Sequence, residues 1–244
     1  MDLTVALQAR EGLVCVVGAG GKKSTLYTLA ERLDRAVVTA TVRIPIFDDR
    51  VATVRVTESP LEAIEAAGDD TWPLGLVPEQ ERPDRYRGYD PETVEAIAAA
   101  DPVGTTLVKA DGARTREFKA PGDREPQLPA AVDVVVPVAS VQVVGEPLTD
   151  AAVHRPERVA ALTGLSMGEE IRSEHVGRVL SSPDGGLKDV PDGATAIPLL
   201  NKVDDDEWGT VAREIAAVIH ERADVPRVAL TSMLADDPLV AVVD

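Results

Sequence analysis

The chain has one cysteine in 244 residues, and aromatic residues make up only 3% of it. A lone thiol, Cys15, excludes an internal disulfide and any zinc cluster built on cysteines. Cys15 stands in an apolar run and reads as a small core residue rather than a nucleophile. With so few rings, the core has to be built from Val, Ala, Leu and Ile, and a hydrophobic content of 44% supplies enough of them. No apolar run approaches the roughly 18 residues that cross a bilayer. The N-terminus lacks a basic stretch followed by an apolar one, so no signal peptide is expected and the protein reads as cytoplasmic. Lysine is scarce too. Only positions 22, 23, 109, 119, 188 and 202 carry it, six of 25 basic residues, which leaves nineteen arginines. The 42 acidic residues bring the net charge to −17, which argues against nucleic acid as a partner, because phosphate backbones need clustered Lys and Arg. An acidic surface, few lysines and small core residues together fit a salt-rich cytoplasm such as that of a halophilic archaeon, where short-range screening makes charge of one sign cheap. An acidic protein from a GC-rich genome has the same composition.

What is present is an alternation of strand and helix patterns. Apolar runs at 13–18, 36–41 and 131–140 suit strands buried on both faces; 105–114 reads as a buried strand running into a polar turn, 195–204 as a late strand ending in a polar motif, and 227–234 as a last strand and turn. Helical spacing is found at 23–34, 60–68, 91–100, 155–164, 174–181 and 206–223. The alternating stretch 51–57 suits an edge strand, and 71–90 reads as a strand piece followed by a loop. The expected fold is α/β: a mainly parallel sheet with helices on both faces, a three-layer sandwich like that of P-loop NTPases, in one domain over 1–244. Ligands of such sheets bind at the carboxyl ends of the strands.

Three polar motifs stand at those ends. The first is Gly18-Ala19-Gly20-Gly21-Lys22-Lys23-Ser24-Thr25, between a strand and a helix. Its glycines let backbone N–H groups turn toward an anion, and the helix start adds its own N–H groups and dipole. A dinucleotide fingerprint would place glycine at 23 and an acid after the second strand, where Thr39-Ala40-Thr41 stands. A phosphate site with the backbone of 18–22 and Lys22 on the phosphates is the better reading, although the common P-loop has Ser or Thr directly after its lysine and Lys23 stands there. The second motif is Asp111, after a buried strand and before Gly112, a position suited to holding Mg²⁺ directly or through water; capping a loop is the plainer alternative. The third is Asn201-Lys202-Val203-Asp204, which resembles the guanine-specificity motif of GTPases, with Asn201 and Asp204 on the base edge and the Lys202 stem against the ring. The segment 230–233 is a candidate second base loop. Arg114, Arg116, Lys119 and Arg124 in the loop 113–129 suit an anionic substrate or a γ-phosphate, and His154 and Arg155 open a helix.

In combination, "VVGAGGKKSTLYTLA", "VVTATVRIP", "KADGAR" with "FKAP" and "EP", "VHRPE" and "LLNKVD" resemble the YqeC family, described as selenium-dependent hydroxylase accessory proteins. The resemblance covers residues 11 to 205. It implies a P-loop-type fold and a role in maturing a molybdenum hydroxylase, with that enzyme or its cofactor-insertion machinery as partner. The family's loop, Gly-x-Gly-Gly-Lys-Thr, puts its lysine on Lys22 and its hydroxyl on Lys23. An ammonium has donors only and cannot ligate Mg²⁺. Ser24 or Thr25 then takes over, or metal binding weakens, or hydrolysis is lost. Where the family tends to carry His before Glu-Pro, this chain has Arg124. The expected ligands are GTP (or ATP) and Mg²⁺, with Lys22 and Asp111 as the catalytic pair and Ser24 and Asp111 on the metal. The alternatives are a non-hydrolysing scaffold that binds a nucleotide or a molybdopterin cofactor, and a small-molecule kinase or Mur-ligase-like enzyme.

Overall fold

The computed structural model describes residues 1–244. A one-turn helix, α1 (Leu3–Ala6), precedes β1 (Gly12–Gly18), α2 (Lys22–Ala30), β2 (Ala36–Ala40), β3 (Ile44–Pro45), β4 (Thr53–Val56), α3 (Pro60–Glu65), β5 (Leu74–Val77), β6 (Arg85–Tyr86) and α4 (Pro91–Ala98). The second half holds β7 (Thr105–Lys109), β8 (Phe118–Lys119), β9 (Val134–Ser140), β10 (Val153–His154), α5 (Pro156–Thr163), α6 (Ser173–Leu180), β11 (Thr195–Ala196), β12 (Leu199–Asn201), α7 (Asp206–Arg222), β13 (Val228–Thr231) and β14 (Leu239–Val243).

The main sheet runs in the order β14-β13-β12-β9-β1-β7-β2-β5-β4, with β11 also on β9. Every pairing is parallel except β13 with β14. Alternate side chains of β1 leave the sheet in opposite directions, as the pleat requires. Val14 and Val16 meet Leu26 and Leu29 of α2, while Leu13, Cys15 and Val17 meet Ile64 of α3 and Val94 and Ile97 of α4. Helices α6 and α7 cover the other half of the sheet, with Ala212, Ile215, Ala216 and Ile219 of α7 inward at helical spacing. The result is the expected three-layer α/β sandwich on a mostly parallel sheet. Cys15 is fully buried, and burial pushes its thiol well above the ordinary range, in line with a core role.

Several features go beyond the sequence reading. The chain's last strand is β14, past the 227–234 pattern, and it pairs antiparallel because the short connection from Thr231 allows only a hairpin return. The expected edge strand at 51–57 is β4, at the sheet's other edge and partly exposed. Residues 78–90 are not all loop: β6 pairs with β3 in a small antiparallel sheet, and β8 pairs with β10 in another. No helix is long and apolar enough to cross a membrane.

Candidate functional site

The strands β1, β2, β7, β9, β12 and β13 point their carboxyl ends at one cleft of about 960 Å³. Nine Lys or Arg side chains line it against three acids, Glu117, Glu125 and Asp204, so the cleft is cationic in a chain of net charge −17. Such focusing draws anions. The scarce lysines concentrate here. Lys22, Lys23, Lys109 and Lys202 line the cleft, and Lys119 lies buried beneath it.

The glycine loop turns out of β1 with φ of 90° at Gly18, 82° at Gly20 and 151° at Gly21. A side chain at Gly21 would run into the amide of Asn201, so this position accepts only glycine. The amides expected to meet phosphate are partly committed elsewhere. Gly18 N–H donates to Asp111 Oδ2 at 2.8 Å, Ala19 N–H to Val138 O at 2.9 Å and Gly20 N–H to Arg116 O at 3.0 Å. The first intrahelical bond is Thr25 N–H to Gly21 O. The N–H groups of Gly21, Lys22, Lys23 and Ser24 therefore remain as the orphan donors of the α2 N-terminus, and Gly21 offers no capping side chain. The uncommitted amides are those of 21–24 rather than of 18–20. Ala19 and Gly20 line the cleft, whereas Gly18 packs against β9.

The hydroxyls of this helix separate cleanly. Thr25 is fully buried and donates to Gly21 O at 3.2 Å, so it faces inward. Ser24 is half-buried, lines the cleft and has no hydrogen-bond partner. Lys23 also lines the cleft without an ion-pair partner.

Asp111 is 2% exposed and sits among ammonium groups. Lys22 Nζ lies 2.9 Å from Oδ1 and Lys119 Nζ 2.8 Å from Oδ2, while Lys22 also donates to Gly18 O. Lys119 donates further to Gly112 O and Glu125 Oε2. Lys109 Nζ donates to the carbonyls of Asp111 at 2.7 Å and Arg43 at 2.8 Å. Burial pushes the Asp111 carboxyl up, but Lys22 and Lys119 outweigh it and hold the group below its ordinary value. Burial lowers Lys22 against the pull of Asp111, and lowers Lys109 to about 7 with help from repulsion by Lys22. Glu125 falls to about 2 because its bonds from Arg155 and Lys119 override burial.

The Asn-Lys-x-Asp stretch closes the opposite end of the cleft. Asn201 Nδ2 donates to Gly20 O at 2.8 Å, and its Oδ1 accepts from Met233 N–H at 3.1 Å and Thr231 Oγ1 at 3.3 Å. It ties the glycine loop to the segment after β13. Asp204 accepts from Ser232 Oγ at 2.6 Å and Gln142 Nε2 at 2.9 Å. Lys202 has φ 65° and pairs with Glu117 at 2.8 Å. Ser232, Met233 and Leu234 complete this end, so the expected second loop does meet the motif.

Of the loop 113–129, Arg114 and Arg116 reach the cleft, Lys119 is a buried partner of Asp111, and Arg124 is exposed away from it. Arg114 and Thr115 have φ of 47° and 60°, a backbone region that costs about 1–3 kcal/mol for such residues. Arg116 is pinned to the glycine loop through its carbonyl. Arg85 and Gln142 stand in no motif, whereas Arg43 lies in "VVTATVRIP" and Lys109 opens "KADGAR" without a role being assigned to either from the sequence.

His154 lines the cleft beside Arg155 and is pushed down to about 4 by burial, with repulsion from Arg155 and Lys119. It is expected to stay neutral at pH 7. The unfolded chain binds its proton between pH 4 and 6.5 when the folded chain does not, so His154 withdraws stability as pH falls through that window. In an NMR titration its ring protons should move near pH 4, and Arg155→Ala should shift that midpoint upward. A midpoint at the ordinary histidine value would contradict the packing around it.

Fold and cleft define a three-layer α/β protein with a glycine loop, a lysine-ringed aspartate and a cationic cleft at the carboxyl ends of the strands. The chain belongs to the YqeC family: the family model described as YqeC protein matches residues 14–157, more than half of its length. The matched segment contains the glycine loop, Asp111 and His154, and stops short of Asn201. A curated relative from Escherichia coli (strain K12), named "Uncharacterized protein YqeC", is 26% identical over 206 residues, covering 82% of this chain and 79% of the relative. No solved structure matches the chain.

Proposed function

We propose that this protein binds a guanine nucleotide in the cationic cleft and acts as an accessory protein in the maturation of a selenium-dependent molybdenum hydroxylase, the role that family likeness suggests. One observation carries the nucleotide reading: a single cleft unites an uncapped helix N-terminus with free amides, a lysine over a buried aspartate, and an Asn-Lys-x-Asp turn, in a chain otherwise strongly acidic. In this reading the amides of 21–24 and Lys22 hold the phosphates. Asn201 fixes the distance between cradle and base end, and Asp204 meets the base edge beside the Lys202 stem.

Mg²⁺ fits this site in one way. Ser24 has an unpartnered hydroxyl at the cradle, while both Asp111 oxygens already face lysines. Ser24 would hold the ion, with Asp111 acting on its water shell, and the ion would neutralise phosphate charge. Phosphate binding draws Lys22 away from Asp111, whose remaining partner is Lys119. The pairing of Asp111 with two lysines, and Lys23 in the usual hydroxyl position, also support the second reading, a nucleotide-binding scaffold without hydrolysis. Mg²⁺-dependent phosphate release that disappears in Lys22→Ala would exclude that scaffold.

Calorimetric titration of GTP against ATP tests the main reading. GTP is expected to bind at least about tenfold more tightly, the discrimination of a base edge read by one or two hydrogen bonds. Equal or tighter ATP binding would remove the guanine assignment.

A further inference from the structure

The order of strands along the cleft divides it. The Asn-Lys-x-Asp end lies on β12 and β13, the cradle follows β1, and Asp111 follows β7. Beyond these, past β2 and β5, come Arg43 and Arg85. Strand spacing is about 4.8 Å, so the ends of β12 and β2 lie on opposite sides of β1, each roughly 10 Å away. A nucleotide with its base at Lys202 and Asp204 and its phosphates at 21–24 leaves the β2 side uncovered. The cleft's 960 Å³ stands at the upper end of the roughly 300–1,000 Å³ that one small ligand occupies.

That side has a wall of its own. One small sheet outside the main one, β3 with β6, forms it, while a second, β8 with β10, packs against the β9 half and stands over the middle of the cleft. They come from insertions after β2, β5, β7 and β9, all at carboxyl ends. The β3–β6 sheet brings Arg43 and Arg85 to the cleft, and Arg114 and Arg155 line it from the β8–β10 side. Arg43 is held by Glu81 at 2.6 Å and Arg85 lies 3.3 Å from Asp84, and neither acid lines the cleft. Glu81 takes Nε and Nη2 of Arg43, which leaves its Nη1 side for a ligand, and Asp84 faces Nε of Arg85. Arg114 has no ion-pair partner and is carried by the strained turn at 114–115. Of the acids lining the cleft here, Glu125 is already shared by Lys119 and Arg155, and Glu117 is paired with Lys202.

We propose that this arginine wall is a second anion subsite, which holds the phosphate group of a small phosphorylated co-ligand beside the nucleotide's terminal phosphate. Guanidinium forks suit a dianionic oxyanion because they bond it in pairs. The subsite extends the nucleotide reading only in naming what lies next to it. Its cations are separate from those of the cradle.

Inorganic phosphate serves as the probe, titrated into protein saturated with a non-hydrolysable GTP analogue and monitored by calorimetry and ³¹P NMR. Saturable binding is expected, weakened at least about tenfold in Arg43→Ala/Arg85→Ala, with the analogue's own affinity changed less than about twofold. Both arginines are surface-held, and an unchanged urea midpoint confirms the fold. Failure of phosphate to saturate the loaded protein, or equal affinity in the double variant, overturns the subsite. If the analogue itself does not bind, the titration is made on the free protein. Phosphate binding that depends on Arg43 and Arg85 there supports the subsite and removes the nucleotide reading, and binding indifferent to them overturns the subsite as well.

Discussion

Asp111→Ala is expected to destabilise the fold by about 3–5 kcal/mol in urea unfolding, the cost of removing one partner from a buried ion pair. The size follows from what the carboxylate holds. Lys22 and Lys119 are 5% and 4% exposed, and both place their ammonium groups on it. Without it the two charges face each other, and Gly18 N–H loses its acceptor. Asp111→Asn keeps an acceptor for Gly18 but no countercharge, so it should recover only a minor part of the loss. An unchanged urea midpoint in Asp111→Ala would mean that the lysines do not depend on this carboxylate. The expectation differs from that for a plain metal ligand, which pays its cost in self-repulsion of the empty site and often gains stability when removed.

Lys22→Ala should lower nucleotide affinity about 100-fold, and Lys23→Ala less than about tenfold, by calorimetry under identical salt. A hydrogen bond to a charged group contributes roughly 1.5–3 kcal/mol, or about 10- to 100-fold. Lys22 reaches the upper end for a second reason. Its loss exposes Asp111, held then by Lys119 alone, to the incoming phosphates. Lys23 is half-buried at the rim, and its charge is screened by water. If Lys23→Ala proves the more damaging change, the phosphates lie one residue further along and the register of the cradle is wrong.

The architecture was legible because its signals are local. The run 13–17 needs two covered faces and received them, and the Pro60 and Pro91 helix starts and the Gly164 stop fell where those residues favour them. The three motifs converged because a parallel sheet sends all its strand ends to one edge. The last strand was missed, since Leu239–Val243 is a short run whose pairing depends on β13. The arginine wall is not legible in the sequence: Arg43 lies in a quoted stretch but with no role assigned, Arg85 lies in a loop without a motif, and only the pairing of β3 with β6 brings them together at the cleft.

The sequence by itself determined the α/β class, the glycine turn into a helix, the burial of Cys15 and the candidate roles of Lys22, Asp111 and Asn201. Tertiary structure decided which of their atoms are free. Whether an amide meets a ligand depends on whether a distant chain segment has already taken it, and here Val138, Arg116 and Asp111 take those of 19, 20 and 18. The same holds for charge. From the sequence Asp111 reads as a Mg²⁺-holding carboxylate or a loop cap, and it is the centre of a buried lysine cluster because β7, β8 and α2 meet there, away from solvent screening.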